Sequence, residues 1–404
     1  MGILRTRLLA VTTILLTAVG VLATTPPAQA HGRGKPVTVM TRNLYLGADI
    51  NRPVVAAATA QAQGKTPQEI LVALANANHV TRDIVDRTDF PVRAGLLAGE
   101  IVRQRPDFVG LQEVALWRSG PLELTQVGVA NATTVDYDFL QILLDALAAR
   151  GASYTAVNVG TRADVEAPSF TGSPFDGTMG GTVRDVRLTM RDVILVRSDK
   201  NISISASGDA IYSHNLSVTV AGAVLTFDRG YQWVDARVGH ERLRFVNTHL
   251  EAFSSDLALA QADELLANAA PADRDVVLVC DCNSDPLNSS VKPQDTVPHK
   301  APYDLITGPG GFTDEWLAWA PAEEGWTSGL SETVDDVTGA GFDHRIDMVF
   351  VRTARGGGYD VDRGAVTGTE VGDRDPVTGL WPSDHGGVVL RLRTGHHHRH
   401  HHDR

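Results

Sequence analysis

Short apolar runs, each too brief for a helix and several closed by an amide, a carboxylate or a histidine, recur along this chain. Residues 275–281 are the plainest case: Val276, Val277, Leu278 and Val279 lie between Asp275 and Asp281. Apolar runs of about four to eight residues bounded by turn signals read as strands buried on both faces. Residues 37–42, 107–114, 191–196, 218–227, 232–238, 243–248, 346–351 and 387–393 follow the same pattern. A chain built this way must stack its strands into sheets and cover the sheets with something else.

Helical segments supply the cover. Thr66-Pro67 starts one, with Ile70, Leu71 and Leu74 on a single face. Others are predicted over residues 92–104, 138–150 (closed by Gly151) and 256–269. Residues 161–182, rich in Gly, Pro, Ser and Thr, read as a long surface loop. No repeat of fixed period is present, which disfavours solenoids and propellers. Strands interleaved with helices imply an α/β (α+β) domain with stacked sheets. No linker divides the chain after residue 30, so residues 31–394 read as one domain with a helical insert near 50–90. Hydrophobic residues at 43% and charged residues at 21% exclude disorder, collagen and coiled coil for most of the chain.

The two ends read differently from the middle. Arg5 and Arg7 precede an apolar run over residues 8–23, followed by Ala28-Gln29-Ala30. That is the pattern of a secretory signal peptide cleaved near Ala30-His31, and the run is short for a bilayer span of roughly 20 residues. The expected product is secreted. Its formal charge changes from −12 to −14, because residues 1–30 carry Arg5 and Arg7 and no acid. An acidic total argues against a broad electrostatic footprint for nucleic acid. At the far end, residues 395–404 form a His-rich tail interrupted by Arg399. An added tag and a native, loosely metal-binding tail both fit that composition.

Cys280 and Cys282 are the two cysteines. An exported protein can keep disulfides, but a C-x-C ring in an extended strand is geometrically demanding, so two buried thiols are expected.

The polar residues that close the strands are the candidate site. Asn43 follows the first strand, and Glu113 ends residues 107–114. His249 follows residues 243–248, and Asp281 and Asn283 close residues 275–281. Asp347 sits in residues 346–351, and Ser383-Asp384-His385 precedes the last strand. Singly each has an ordinary reading: a turn Asn, a solvated strand-end carboxylate, a packing histidine, an Asx turn. Together, polar groups on successive strand ends converge on one rim, where ligands bind.

In order, Thr41-Arg42-Asn43-Leu44, Leu111-Gln112-Glu113-Val114, Asn247-Thr248-His249-Leu250, Asp281-Cys282-Asn283-Ser284-Asp285-Pro286, Arg345-Ile346-Asp347 and Ser383-Asp384-His385 resemble the motifs of the endonuclease/exonuclease/phosphatase superfamily. Gly311-Phe312-Thr313-Asp314-Glu315-Trp316 resembles a further segment of that family. The resemblance spans residues 37–394. It implies a deoxyribonuclease I-like, four-layer sandwich of two mixed β-sheets flanked by helices. It also implies a metal-dependent hydrolase: Asn43, Glu113 and Asp384 would hold Mg²⁺, with Mn²⁺ or Ca²⁺ as alternatives, matching the oxygen donors that hard cations take. His385 would serve as base with Asp347 as its partner. Asp281 would orient water, and Asn283 and His249 would contact the phosphoryl oxygens, His249 also serving the leaving group. One departure stands out: Cys280 occupies a position where the family carries glycine, which puts a tight glycine turn there in question. With a strand's alternation, both cysteines should point away from Asp281 and Asn283.

Substrate is the least determined part of the reading. A phosphodiester is expected: a phospholipid head group, with peripheral membrane contact, a nucleic acid, or another small phosphoester; no obligate protein partner is indicated. A nuclease would draw on Arg82, Arg87, Arg93, Arg103, Arg105 and Arg118 for phosphate contacts. A lipase would want exposed aromatics such as Trp319 and Trp326, whereas Trp316 is expected in the core. A catalytically silent binding module on the same fold is the reading from another class.

Overall fold

Alternation along each strand decides the layers. A computed structural model of the protein describes residues 36–220 and 223–393; the leader-like segment and the His-rich tail fall outside the described residues. The chain opens with β1 (Val37–Asn43), whose Val37 and Val39 face one way and whose Met40 faces the other. Next come α1 (Asn51–Ala62), α2 (Pro67–Arg87) and α3 (Phe90–Gln104). Thr66 caps α2 with a capping box to Glu69, and Pro67 sits at its start, where its missing N–H costs nothing. Then follow β2 (Phe108–Gln112), β3 (Leu116–Gly120), β4 (Thr134–Asp138) and α4 (Phe139–Ala148), the last capped by Asp138.

Residues 161–182 are not one long loop. Residues 161–171 and 180–182 belong to two 18-residue strands, β5 (Tyr154–Thr171) and β6 (Gly180–Arg197), paired along nearly their whole length, and residues 172–179 join them. β5 pairs only with β6, so Pro168 is tolerated at a sheet edge; the Gly/Ser/Thr composition belongs to the hairpin tip. β7 (Ile202–Ile211) is followed by β8 (Leu216–Val220) and β9 (Ala223–Phe227). Residues 218–227, expected as one strand, are thus most of a hairpin.

The remaining elements are β10 (Gly230–Val238), β11 (Glu241–His249), α5 (Ser255–Ala269), β12 (Asp275–Asp281), α6 (Ala301–Thr307), β13 (Thr313–Asp314), α7 (Glu315–Trp319), β14 (Asp347–Arg352), β15 (Asp360–Thr367) and β16 (Gly387–Arg393). They include the six expected over residues 232–238, 243–248, 256–269, 275–281, 346–351 and 387–393, with α6, β13, α7 and β15 added between them. Among the described residues no helix is long and apolar enough to cross a membrane.

Two mixed sheets result. The eight-stranded sheet runs β15-β16-β1-β2-β6-β3-β4, with β5 also on β6; β1 and β2 are parallel. The six-stranded sheet runs β13-β14-β12-β11-β10-β7, with β11 and β12 parallel. Between them lies an apolar layer that includes Val39, Phe108, Ile194, Phe245, Val277, Val279, Val349 and Leu390. On the outer face of the first sheet, α3 and α4 pack Phe90, Leu97, Phe139 and Leu143 against Met40, Val109 and Leu111. On the outer face of the second, α5 and α6 pack Leu265 and Ile306 against Val276, Leu278 and Phe350. That is a four-layer sandwich, helices outside and sheets within.

The cysteines depart from expectation. Cys280 and Cys282 form a disulfide, with their Cα atoms 5.0 Å apart. Cys282 lies one residue past β12, where the chain turns into Asn283 at φ +44°, so the pair is not held in an extended strand. As alternation predicts, both cysteines face the outer layer, away from Asp281. β12 keeps its pairing through Cys280, which lies opposite Thr248 and Met348, so no glycine is required there.

Candidate active site

The inner-facing positions of the strands change character toward one end of the sandwich. On β11, Leu243 and Phe245 are core, and the same phase then gives Asn247 and His249. On β12, Val277 and Val279 lead to Asp281; on β14, Val351 and Val349 lead back to Asp347. Register aligns the ends: His249 lies opposite Asp281, and Asp281 opposite Asp347. Side chains so paired on one face stand roughly 5 Å apart, and like charges directly opposite destabilise a sheet. Stability alone does not account for such a row.

Across the gap, β1 and β2 bring Thr41 and Asn43 beside Gly110 and Gln112. Gly110 is obligatory by space, since a Cβ there would lie 2.4 Å from Val279 and 2.6 Å from the Asn247 carboxamide oxygen. The sheets meet at this point through an amide network. Gln112 Nε2 donates to Asn247 Oδ1 (2.7 Å), and Asn247 Nδ2 donates to the Leu111 carbonyl (3.1 Å) and to Gln232 Oε1 (3.2 Å). Such a network fixes register between sheets more narrowly than apolar packing does.

His385 Nδ1 lies 2.8 Å from Asp347 Oδ2. Its Nε2 is 3.8 Å from Asp281 and 3.9 Å from Asp384. Against the burial that would lower it, the Asp347, Asp384 and Asp281 carboxylates hold the His385 imidazole well above its ordinary value. Burial, opposed by His385, pushes Asp281 up to about 7 and Asp384 up to about 6. Burial and the Arg229 charge hold His249 well below the ordinary value, as a neutral ring. Asp281, Asp347 and His385 bring ligand atoms within 4.8 Å of one another.

Each predicted residue is now placed. Asn43 Nδ2 donates to Asp281 (2.9 Å), and its Oδ1 accepts from Tyr45 N–H (2.8 Å). Glu113 takes φ +56° and accepts from Leu46 N–H (2.8 Å). Left-handed backbone at a glutamate costs about 1–3 kcal/mol and is concentrated at functional sites. Asn283 donates to the Leu250 carbonyl (2.9 Å). Glu113, His249, Asp281, Asn283, Asp384 and His385 all line one cavity of about 230 Å³, while Asn43 and Asp347 stand directly behind it.

Supporting residues escaped the sequence reading. Arg42, fully buried, pairs with Glu100 (2.9 Å) and donates to the His385 carbonyl. Ser383 Oγ donates to the Asn43 carbonyl (2.9 Å) and accepts from His385 N–H (3.1 Å), tying two motifs together. Arg93, a phosphate contact only under a nuclease reading and otherwise a solvated helix residue, is instead buried and donates to the carbonyls of Thr88, Leu44, Tyr45 and Pro382. Arg82 is likewise buried and paired with Asp86 and Asp136. Arg229, with Nη1 2.9 Å from His249 Nδ1, lines the cavity with Arg162. An arginine preceding a strand carries no mark in sequence of whether it will be buried. Trp316 is in the core as expected, with Trp319 and Trp326 partly exposed.

A metal fits this donor set. Glu113 and Asp384 present carboxylates to the cavity, the oxygen chemistry that hard divalent cations take; Asn43 stands behind it, its amide oxygen accepting from Tyr45 N–H. Asp347 Oδ1 is buried with no hydrogen-bond partner. Buried carboxylates without enough compensating cation are costly, and a divalent ion relieves that excess.

Fold and site together define a deoxyribonuclease I-like sandwich with an acid–histidine rim at one end of its core. Solved structures share that architecture. An endonuclease/exonuclease/phosphatase family protein from Bacteroides thetaiotaomicron aligns with a TM-score of 0.51 at 18% identity, over 92% of this chain and 100% of its own. An endonuclease/exonuclease/phosphatase from Beutenbergia cavernae DSM 12333 aligns with a TM-score of 0.50 at 20% identity, over 89% of this chain and 72% of its own. At such identities the likeness establishes the fold. No protein-family model and no curated protein matches the sequence.

Proposed function

We propose that this protein is a secreted, divalent-metal-dependent phosphoester hydrolase, a phosphodiesterase acting on a phospholipid head group or another small phosphodiester. The observation that carries the reading is the meeting of the His385–Asp347 pair with Asp281, Asp384 and Glu113 at one cavity. The leader-like residues 1–30 support secretion.

Asn43, Glu113 and Asp384 would hold Mg²⁺, with Mn²⁺ or Ca²⁺ as alternatives. Bound there, a hard cation polarises phosphoryl oxygens and stabilises charge on the leaving oxygen. The chain's own groups do the rest. Asp347 accepts from His385 Nδ1–H and orients the ring; positive charge held at Asp384 and Glu113 would offset the carboxylates that keep His385 protonated, freeing Nε2 to take a proton from water. Water oxygen bonds to phosphorus as the ester P–O bond breaks on the opposite side. Asp281, held by Asn43, orients that water. Asn283 spends one amide hydrogen on Leu250 and has a second for a phosphoryl oxygen. The neutral His249 ring offers a hydrogen bond to the phosphoryl or leaving oxygen.

Hydrolysis of bis(p-nitrophenyl) phosphate by the purified chain tests this. Turnover that stops in EDTA and returns with Mg²⁺ is expected. Absence of turnover with every divalent ion supplied would leave a binding module on the same fold.

A further inference from the structure

The cavity has walls that the hydrolytic residues do not explain. Its floor is apolar, from Ala163 and Val165 on β5 and Leu188 and Met190 on β6. One wall is Ile50 and Asn51, where α1 begins; the other is Phe227 to Arg229, where β9 ends. These walls come from segments far apart in sequence, and beyond the cavity they touch. Val218 and Leu225 are cross-strand partners in the β8–β9 hairpin. Both pack against the apolar cluster of Val54, Ala57 and Ala60 on α1 and Ile70 on α2. α2 is in turn tied to β5, with Asn76 Nδ2 donating to the Gly172 carbonyl (2.8 Å) and Asn78 Nδ2 to the Ala167 and Pro168 carbonyls. The two walls are thus joined, beyond the cavity, by an apolar seam.

The cavity's size limits what enters. The volume of about 230 Å³ falls below the roughly 300–1,000 Å³ of sites for drug-sized ligands. One compact organic group fits beside the carboxylates. An internal phosphate of a duplex arrives with chain on both sides, and the wider groove alone is about 12 Å across; the seam would have to part. The charge of −12 supplies no long-range pull on a polyanion to offset that cost, and Arg82 and Arg93 are committed to internal partners.

Resting on the phosphoesterase reading, we propose that the seam between α1 and the β8–β9 hairpin is a selectivity roof, confining the site to phosphoesters that carry a compact group and excluding duplex nucleic acid. The compact group belongs either to a lipid head group or to a free, soluble ester.

The test compares the chain with a Val218→Asp/Leu225→Asp double variant, which places carboxylates in the seam without altering any cavity-lining residue. Leu225→Ser alone serves as a milder opening, and circular dichroism checks the fold of both. Each is assayed with Mg²⁺ on bis(p-nitrophenyl) phosphate, glycerophosphocholine, phosphatidylcholine vesicles and supercoiled plasmid. The unaltered chain should turn over small esters and leave plasmid intact. Opening the seam should raise plasmid nicking relative to ester hydrolysis by at least about tenfold, with ester kcat/KM held within about threefold. Vesicle turnover assigns a lipid-held head group; turnover of glycerophosphocholine alone assigns a free ester. Plasmid nicked by the unaltered chain as fast as the small ester, or a plasmid-to-ester ratio unmoved in both variants, overturns the roof. No turnover of any substrate overturns the phosphoesterase reading, and the roof with it.

Discussion

The two ends of the inter-sheet layer use the same strands, the same alternation and the same face, yet they are built from opposite chemistry. At one end Val37, Phe108, Val234, Phe245, Val277 and Val351 fill the gap. At the other, the next inward positions are Asn43, Gln112, Asn247, His249, Asp281 and Asp347. Apolar packing tolerates small shifts between sheets, because dispersion and burial are non-directional. Amide and carboxylate hydrogen bonds tolerate little, and each lost partner leaves a buried polar group unpaired. The apolar end supplies the free energy; the polar end spends some of it to hold Asp281, Asp347 and His385 in place. Residues along a single strand such as β11 therefore serve separate purposes a few positions apart.

That division can be broken by experiment. Phe245→Ala removes a fully buried ring from the apolar end and should cost about 3–5 kcal/mol in urea unfolding. Hydrolysis per folded molecule should stay near that of the unaltered protein. Asn247→Ala at the polar end should cost less, about 1–3 kcal/mol, yet lower kcat, because Gln112 and Gln232 lose the amide that joins the sheets. A Phe245→Ala variant that loses activity more than stability would erase the distinction.

A third effect, read as a slope against pH, concerns a carboxylate at the apolar end. Glu315 begins α7, and its Oε1 accepts from Tyr359 N–H (2.8 Å) while Oε2 is buried without a partner. Burial pushes it up to about 8 from the ordinary 4.5. The folded state therefore keeps a proton that the unfolded chain releases. Its contribution is fully present below pH 4.5 and is lost as pH rises through about 8. Glu315→Gln should flatten the pH dependence of Tm across that window, where the single group contributes a slope of at most about 1.4 kcal/mol per pH unit. An unchanged slope would mean that Glu315 does not titrate there.

How far the sequence carried this picture follows the same division. β12 and β16 were legible to the residue, because an apolar run bounded by polar residues leaves little choice of limits. The site rim was legible because strand ends carry their polar groups in the inner phase: six of the eight named residues line the cavity, and Asn43 and Asp347 hydrogen-bond to residues that do. What failed was long-range. Residues 161–182 hid two long strands behind the composition of a hairpin tip. The disulfide turned on where β12 stops, a fact set by Asn283 and not by the C-x-C spacing. Arg42 and Arg93 were unreadable as supports because their partners, the Glu100 carboxylate and backbone carbonyls, are brought to them by tertiary folding.

The central claim is that the His385–Asp347 pair works together with a cation held by Glu113 and Asp384. The most direct measurement is the Mg²⁺ dependence of bis(p-nitrophenyl) phosphate hydrolysis for the unaltered chain, His385→Ala and Glu113→Gln. The account predicts a loss in kcat of about 10²–10⁴-fold for His385→Ala at saturating Mg²⁺. For Glu113→Gln it predicts a large rise in the Mg²⁺ concentration needed for half-maximal rate. Near-normal hydrolysis by His385→Ala, or an Mg²⁺ requirement unmoved in Glu113→Gln, would contradict it.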